Sequence, residues 1–234
     1  MINAIALAAI TSLSASQSWV HEGQPAQVIE LFTSEGCSSC PPADKYLSTF
    51  ESNPDLWGKY IPVAYHVDYW DYLGWKDKFA KPEFSQLQRL YRAYGAVGSV
   101  YTPAFVFDSE EWRGFFNWRK RVLPNNDNDN EKAQTLALER SGNQFTLRFE
   151  DNGTYDATIV FLSSNETTPV KRGENRGKVL EHDFVALEKQ QGRSKNGEWT
   201  FKLNQPIKNI DAVAAWVTEP GTFNRVQTVA GEIR

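Results

Sequence analysis

Only two cysteines occur in these 234 residues, at positions 37 and 40. That excludes a Cys₄ zinc site. A basic excess is missing as well. The formal charge is −4, whereas a nucleic-acid binder normally shows a basic stripe. No apolar run reaches the ~18 to 20 residues that cross a bilayer, and no internal repeat is visible. Apolar and aromatic mass, by contrast, is plentiful. Hydrophobic residues make up 41% of the chain and aromatic residues 13%, including eight Trp. That is enough for a substantial core without disulfide help, in one large domain or two ordinary ones.

The first residues, "MINAIALAAITSLSASQSW", hold a short Ala-rich apolar segment from Ile5 to Leu13, followed by small residues at Ser14, Ala15 and Ser16. This pattern predicts a signal peptide over residues 1–18. No Lys or Arg precedes the apolar run, and an ordinary N-terminal helix is the alternative. Export would place the chain in the periplasm or outside the cell, where a disulfide persists.

The run "NNDNDNE", Asn125 to Glu131, favours turns and loops and reads as a linker. Before it, residues 19–124 alternate strand-like and helix-like segments. "AQVIELF" and "YIPVAYHV" are β-branched and apolar, and "PPADKYLSTFES" reads as a helix opened by prolines. "PEFSQLQRLYRAYG" is a second helix, with apolar residues three and four apart and Gly95 placed to stop it. "TPAFVFD" is a strand, "EEWRG" a hairpin return and "FFNWRKRVL" a closing helix. Strands separated by helices predict a parallel pair, to which the hairpin adds antiparallel strands. After the linker, residues 132–234 hold "QFTLRFE", "YDATIVFLS", "VLEHDFVAL", "EWTFKLN" and "AVAAWVTE". These predict an all-β, sandwich-like domain.

A strand, a C-x-x-C at the start of a helix, a further strand and helix, and a Thr-Pro before the next strand follow the plan of the thioredoxin fold. The stretches "VIELFTSEGCSSCPPADKYL", "PVAYHVDYWDYLGWKDKFA", "GSVYTPAFVFD" and "RGENRGKVLEHDFV" together resemble a family of secreted thioredoxin-like proteins, chiefly bacterial, catalogued as a domain of unknown function. The resemblance spans nearly the whole chain beyond the signal-like segment. It implies an α/β thioredoxin-like domain in which Pro103 is a cis-proline facing the cysteines. The Thr102 backbone would then be turned toward an extended substrate. It implies little about function.

Cys37 and Cys40 have the spacing of a vicinal dithiol. At a helix start the first cysteine is exposed and the second lies one turn in; the dipole and unpaired N–H groups there lower a thiol pKa and yield a nucleophile, Cys37, with Cys40 as resolving partner. A fixed disulfide is the plainer alternative, although so small a loop is a poor staple. Glu30 lies inside an apolar strand, seven residues before Cys37. The thioredoxin carboxylate that serves the second cysteine lies six before, so the resemblance casts Glu30 as base only if the strand carries a one-residue bulge. Otherwise Glu30 pairs with Arg or Lys.

The loop after the second strand carries His66, Asp68, Tyr69, Trp70, Asp71 and Trp75 to the edge of the sheet that holds the dithiol. Tyr69 and Trp70 are candidate substrate contacts; Trp75 reads as packing. His66 with the two thiolates is a candidate copper or zinc set. Arg172, Glu174, Asn175 and Arg176 read as a solvated turn, or alternatively as a dock between the two domains. The leading expectation is thiol–disulfide exchange with protein or small-molecule thiols and a redox partner protein, needing no cofactor beyond the disulfide. Metal binding and a non-catalytic module with a fixed disulfide are the alternatives.

Overall fold

The structure, a computed structural model, describes residues 16–117, 121–124, 134–151 and 153–234. Among these residues, fourteen β-strands and two α-helices make it a β-rich protein. After β1 (Ser16–His21) comes β2 (Gln27–Thr33), whose seven residues are all buried. β3 (Tyr60–His66) runs parallel to β2 in unbroken register from Gln27↔Tyr60 to Thr33↔His66. Between them α1 (Pro41–Ser48) begins at two prolines, whose missing N–H groups cost nothing in a first turn.

α2 (Pro82–Ala93) also begins at a proline, and Gly95, at φ 79°, follows its end. β4 (Ala104–Phe107) pairs antiparallel with the other edge of β2, and β5 (Glu110–Trp112) returns along β4. Alternation along β2 splits its side chains between two faces. Ile29 and Leu31 pack with Ala43 and Leu47 of α1; Val28 and Phe32 pack with Phe84, Leu87 and Tyr91 of α2.

The second half supplies β6 (Leu136–Ser141), β7 (Gln144–Phe149), β8 (Tyr155–Ser163), β9 (Glu166–Pro169), β10 (Val179–His182), β11 (Val185–Ser194), β12 (Glu198–Lys202), β13 (Ala212–Thr218) and β14 (Arg225–Glu232). Its strands do not form a closed sandwich of their own. One eight-stranded sheet runs β14-β13-β8-β11-β3-β2-β4-β5 and joins both halves of the chain. The seam is the short parallel bridge Val185↔Ala64, continued by Ala64 N–H donating to Phe184 O at 2.8 Å. A four-stranded sheet, β1-β6-β7-β12, covers the second-half end, where Leu136, Leu138, Phe145 and Leu147 meet Ile159, Phe161, Val213 and Val229.

Several expectations change. The closing helix over 115–123 appears only as a 3-10 turn, Gly114–Phe116, with residues 118–120 outside the description. "VLEHDFVAL" is two strands, broken where Phe184 takes φ 56°. The signal boundary at 18 cuts through β1, which pairs with β6 from Ser16↔Ser141 onward. Gln17, Trp19 and His21 alternate inward along it as an edge strand does. The linker 125–131 and residues 1–15 lie outside the described residues. Among those described, no helix is long and apolar enough to cross a membrane.

Candidate functional site

Cys37 and Cys40 form a disulfide whose second cysteine caps α1. Ala43 and Asp44 N–H groups both donate to Cys40 O, at 2.8 and 3.1 Å, which starts the helix. The approach to Cys37 requires a glycine. A Cβ on Gly36 would lie 2.9 Å from the Cβ of Trp70.

Both cysteines are buried, Cys37 at 1% and Cys40 at 0% exposure, while Ser38 and Ser39 between them face solvent. This corrects the expectation of an exposed Cys37. The cover is the stretch expected to be a solvated turn. β9 and β10 form an antiparallel hairpin, β10 packs against α1, and the loop between the strands folds over the cysteines. Asn175, fully buried, donates through Nδ2 to Glu35 O and to Cys37 O, both at 2.9 Å. Ser38 N–H donates to a Glu174 carboxylate oxygen at 3.0 Å. A loop whose side chains seal backbone groups of another segment is a dock, the second of the two readings of this stretch. Arg172 and Arg176 stay exposed.

Beside the disulfide lies a buried polar cluster. Asp77 accepts from His66 Nδ1 at 2.7 Å and from the N–H groups of Glu35 and Phe79, each at 2.9 Å. Burial alone would push the Asp77 carboxyl up; the His66 charge and these hydrogen bonds outweigh it and hold it below its ordinary value. Burial likewise works against a charged His66, and Asp77 overcomes it, so the imidazole pKa is raised. Glu35 accepts from Trp75 Nε1 at 2.7 Å and lies 3.6 Å from His182 Nε2, an ion-pair distance. The His66 and His182 rings meet edge to face at 4.8 Å.

Asp44 completes the group from α1, four residues after Cys40 and so on the same helix face. Burial raises its carboxyl pKa, with the two histidines pulling the other way. Among the described residues, Asp44 Oδ2, His66 Nε2 and both ring nitrogens of His182 have no hydrogen-bond partner.

Of the residues expected here, Trp70 and Thr102 do meet, the indole Nε1 donating to Thr102 Oγ1 at 2.7 Å. The Thr102–Pro103 peptide is cis. Tyr69 lies beside Trp70, ring centres 6.4 Å apart, and donates to Gln88 of α2 at 3.0 Å; burial takes its phenol to about 12. Asp68 accepts from Ser85, and Asp71 accepts the Asp77 N–H at 3.3 Å. His66 spends Nδ1 on Asp77, and no group of three or more His, Cys, Asp or Glu able to hold a metal occurs among the described residues.

Glu30 is corrected. The unbroken β2–β3 register leaves no bulge, so a residue seven before Cys37 faces the α2 side of the sheet, away from α1. There its carboxylate pairs with Arg225 Nη2 at 2.9 Å and accepts from Tyr91 OH at 2.7 Å. Glu35, Asp44, Asp77 and His182 are not among the residues the sequence singles out. The helical spacing of Asp44 from Cys40, and the inward alternation of Leu180 and His182 in β10, were available signals for two of them.

The profile of a family described as "Protein of unknown function (DUF1223)" matches residues 28–218. No curated protein matches the chain. Among solved structures, the chain is similar to a protein of Agrobacterium tumefaciens whose crystal structure came from structural genomics. Identity is 25% and the TM-score 0.59, covering 90% of this chain and 96% of that one. It is also similar to HBP35 of Porphyromonas gingivalis, at 17% identity and a TM-score of 0.55, covering 91% and 76%; this likeness speaks for fold alone.

Proposed function

The chain belongs to that family of unknown function, and from its own geometry we propose that it exchanges thiols and disulfides through Cys37 and Cys40. The observation that carries the proposal is the pairing of the chain's only two cysteines at the start of α1, with the buried acid Asp44 one turn further along the same helix face. A helix start stabilises a thiolate. A carboxyl with a raised pKa is suited to give or take the proton of Cys40.

In the reducing direction, the Cys37 thiolate attacks a substrate disulfide, forms a mixed disulfide and releases one substrate thiolate. The Cys40 thiolate then attacks Cys37 Sγ, releases the second substrate thiolate and restores the Cys37–Cys40 bond. Two electrons pass from the dithiol to the substrate, and every step is reversible. Trp70, whose Cβ lies against Gly36, and Thr102, to which its indole donates, support a substrate contact beside Cys37. The order β2-α1-β3-α2-β4-β5, with parallel β2 and β3, supports reading residues 19–124 as a thioredoxin-like unit. The disulfide favours export to an oxidising compartment, with protein or small-molecule thiols and a redox partner protein as partners.

The 1% exposure of Cys37 favours a second reading, a fixed disulfide in a binding module. Cys40→Ser separates the two. Exchange predicts that this variant accumulates mixed disulfides through Cys37 and that Cys37→Ser does not. A fixed bond predicts no adducts with either variant while the protein stays folded.

A further inference from the structure

On the sheet face opposite α1 lies a cavity of about 440 Å³, open to solvent and bounded by α2 and by β8, β11, β13 and β14. That volume falls in the range of small-molecule sites, roughly 300–1,000 Å³. Its lining includes Glu30, Tyr91, Lys189, Gln191, Trp216 and Arg225. The charges do not cancel. Arg225 is paired with Glu30 at 2.9 Å, and Arg193 at the rim with Asp156 at 2.6 Å. Lys189 Nζ has no hydrogen bond or ion pair among the described residues; Glu30 and, from α2, Glu83 favour its charge and Arg225 opposes it, Glu83 being itself 4.0 Å from Lys81, so the lining of the cavity holds one cation in excess.

Its apolar side is just as definite. The Trp216 ring forms part of the wall, with the Arg225 guanidinium 5.0 Å from its centre, and Leu87 and Phe223 complete it. Two of its lining residues each carry a buried polar atom, Glu30 Oε1 and Arg225 Nε, with no hydrogen-bond partner among the described residues. Buried polar groups are ordinarily satisfied.

We propose that this cavity binds a small organic anion with a flat apolar body, the acidic group held by Lys189 and the body laid against Trp216. The site is separate from the disulfide and does not depend on how that disulfide works. Burial lowers Lys189 to about 8, so the cation is present at neutral pH and lost in mild alkali.

The test uses 8-anilinonaphthalene-1-sulfonate and its sulfonate-free counterpart, N-phenyl-1-naphthylamine, as fluorescent probes of the intact chain. At about pH 7 the sulfonate is expected to saturate a single site. Lys189→Met should weaken it about tenfold, the scale of a lost hydrogen bond to a charged group. Lys189→Arg, and Lys208→Met at a distant position, should leave it within about threefold. The neutral probe should bind more weakly and be indifferent to position 189. In the unaltered protein, sulfonate affinity should fall as the pH rises from about 7 to 9.5, since the sulfonate stays charged while Lys189 does not. Equal sulfonate affinity for the unaltered and Lys189→Met proteins, at unchanged melting temperature, would overturn the proposal. Should Lys189→Met fail to fold, constant affinity across that pH range would overturn it instead.

Discussion

Two buried ion pairs on opposite faces of one sheet do different work. Glu30 and Arg225 neutralise each other on the α2 face, remote from α1. Glu30→Gln therefore leaves the buried guanidinium only its longer contact with Asp108, at 3.9 Å, and should cost ~3 kcal/mol in denaturant unfolding. Exchange at the disulfide should keep its rate. Asp44→Asn should reverse that order, with a small stability change and a loss of the pH dependence of exchange that the raised carboxyl imposes. Stopped-flow kinetics and urea titration of both variants check the contrast. Around His66 and Asp77 the signs differ. His66 has a raised pKa, so its contribution is whole below its ordinary value of ~6.5 and is lost as the pH rises through the raised one. Asp77 has a lowered pKa, so its contribution is whole above ~3.9 and is lost as the pH falls through the lowered one. Asp77→Asn should thus destabilise most between about pH 4 and 6.5, by ~3–5 kcal/mol, and less at pH 9. A constant loss across that range would contradict the pairing. At this scale the pairing of Cys37 with Cys40 was legible in the sequence, and the cis Thr102–Pro103 peptide was implied by the family resemblance. At Glu30 the sequence left two readings open, because strand parity turns on a single residue, and the pair with Arg225 is the second of them.

Among the elements, the β9–β10 hairpin governs access to the site. It reaches from the second half of the chain to lay Asn175 over Cys37 and to bring His182 in beside His66. Nothing in "RGENRGK" announces this. A polar loop that docks has the same composition as one that is solvated, and only the two carbonyls waiting at Glu35 and Cys37 distinguish them. Asn175→Ala removes both hydrogen bonds, each worth ~0.5–1.5 kcal/mol net, and should speed reduction of the disulfide by a small thiol roughly tenfold. An unchanged rate, read by thiol labelling over time, would mean that the loop does not limit access. α1, α2, β2, β3 and β4 were legible because their signals are local: prolines at helix starts, a three-and-four apolar spacing, β-branched runs. The edge strands β1 and β9 are short, polar and half exposed, and carry no such signal.

At the scale of the whole molecule, the expectation of two units meets one continuous sheet. Val63 and Tyr65 of β3 share a core with Val160 of β8 and Ala214 of β13, although an Asn/Asp-rich stretch divides the sequence between them. Such pairing joins residues more than a hundred positions apart, beyond the reach of periodicity read along the chain. A shared core predicts a single cooperative unfolding transition by calorimetry rather than two. It also frames the central question, since a disulfide buried in such a unit either exchanges while the fold persists or is released only by unfolding. The direct measurement is the rate of Cys37–Cys40 reduction by a small thiol, compared with the global unfolding rate under the same conditions. A working pair predicts reduction in the native state, first order in thiol, faster than unfolding and reversible on reoxidation. Reduction that saturates at the unfolding rate, whatever the thiol concentration, would contradict it and make the disulfide a fixed bond.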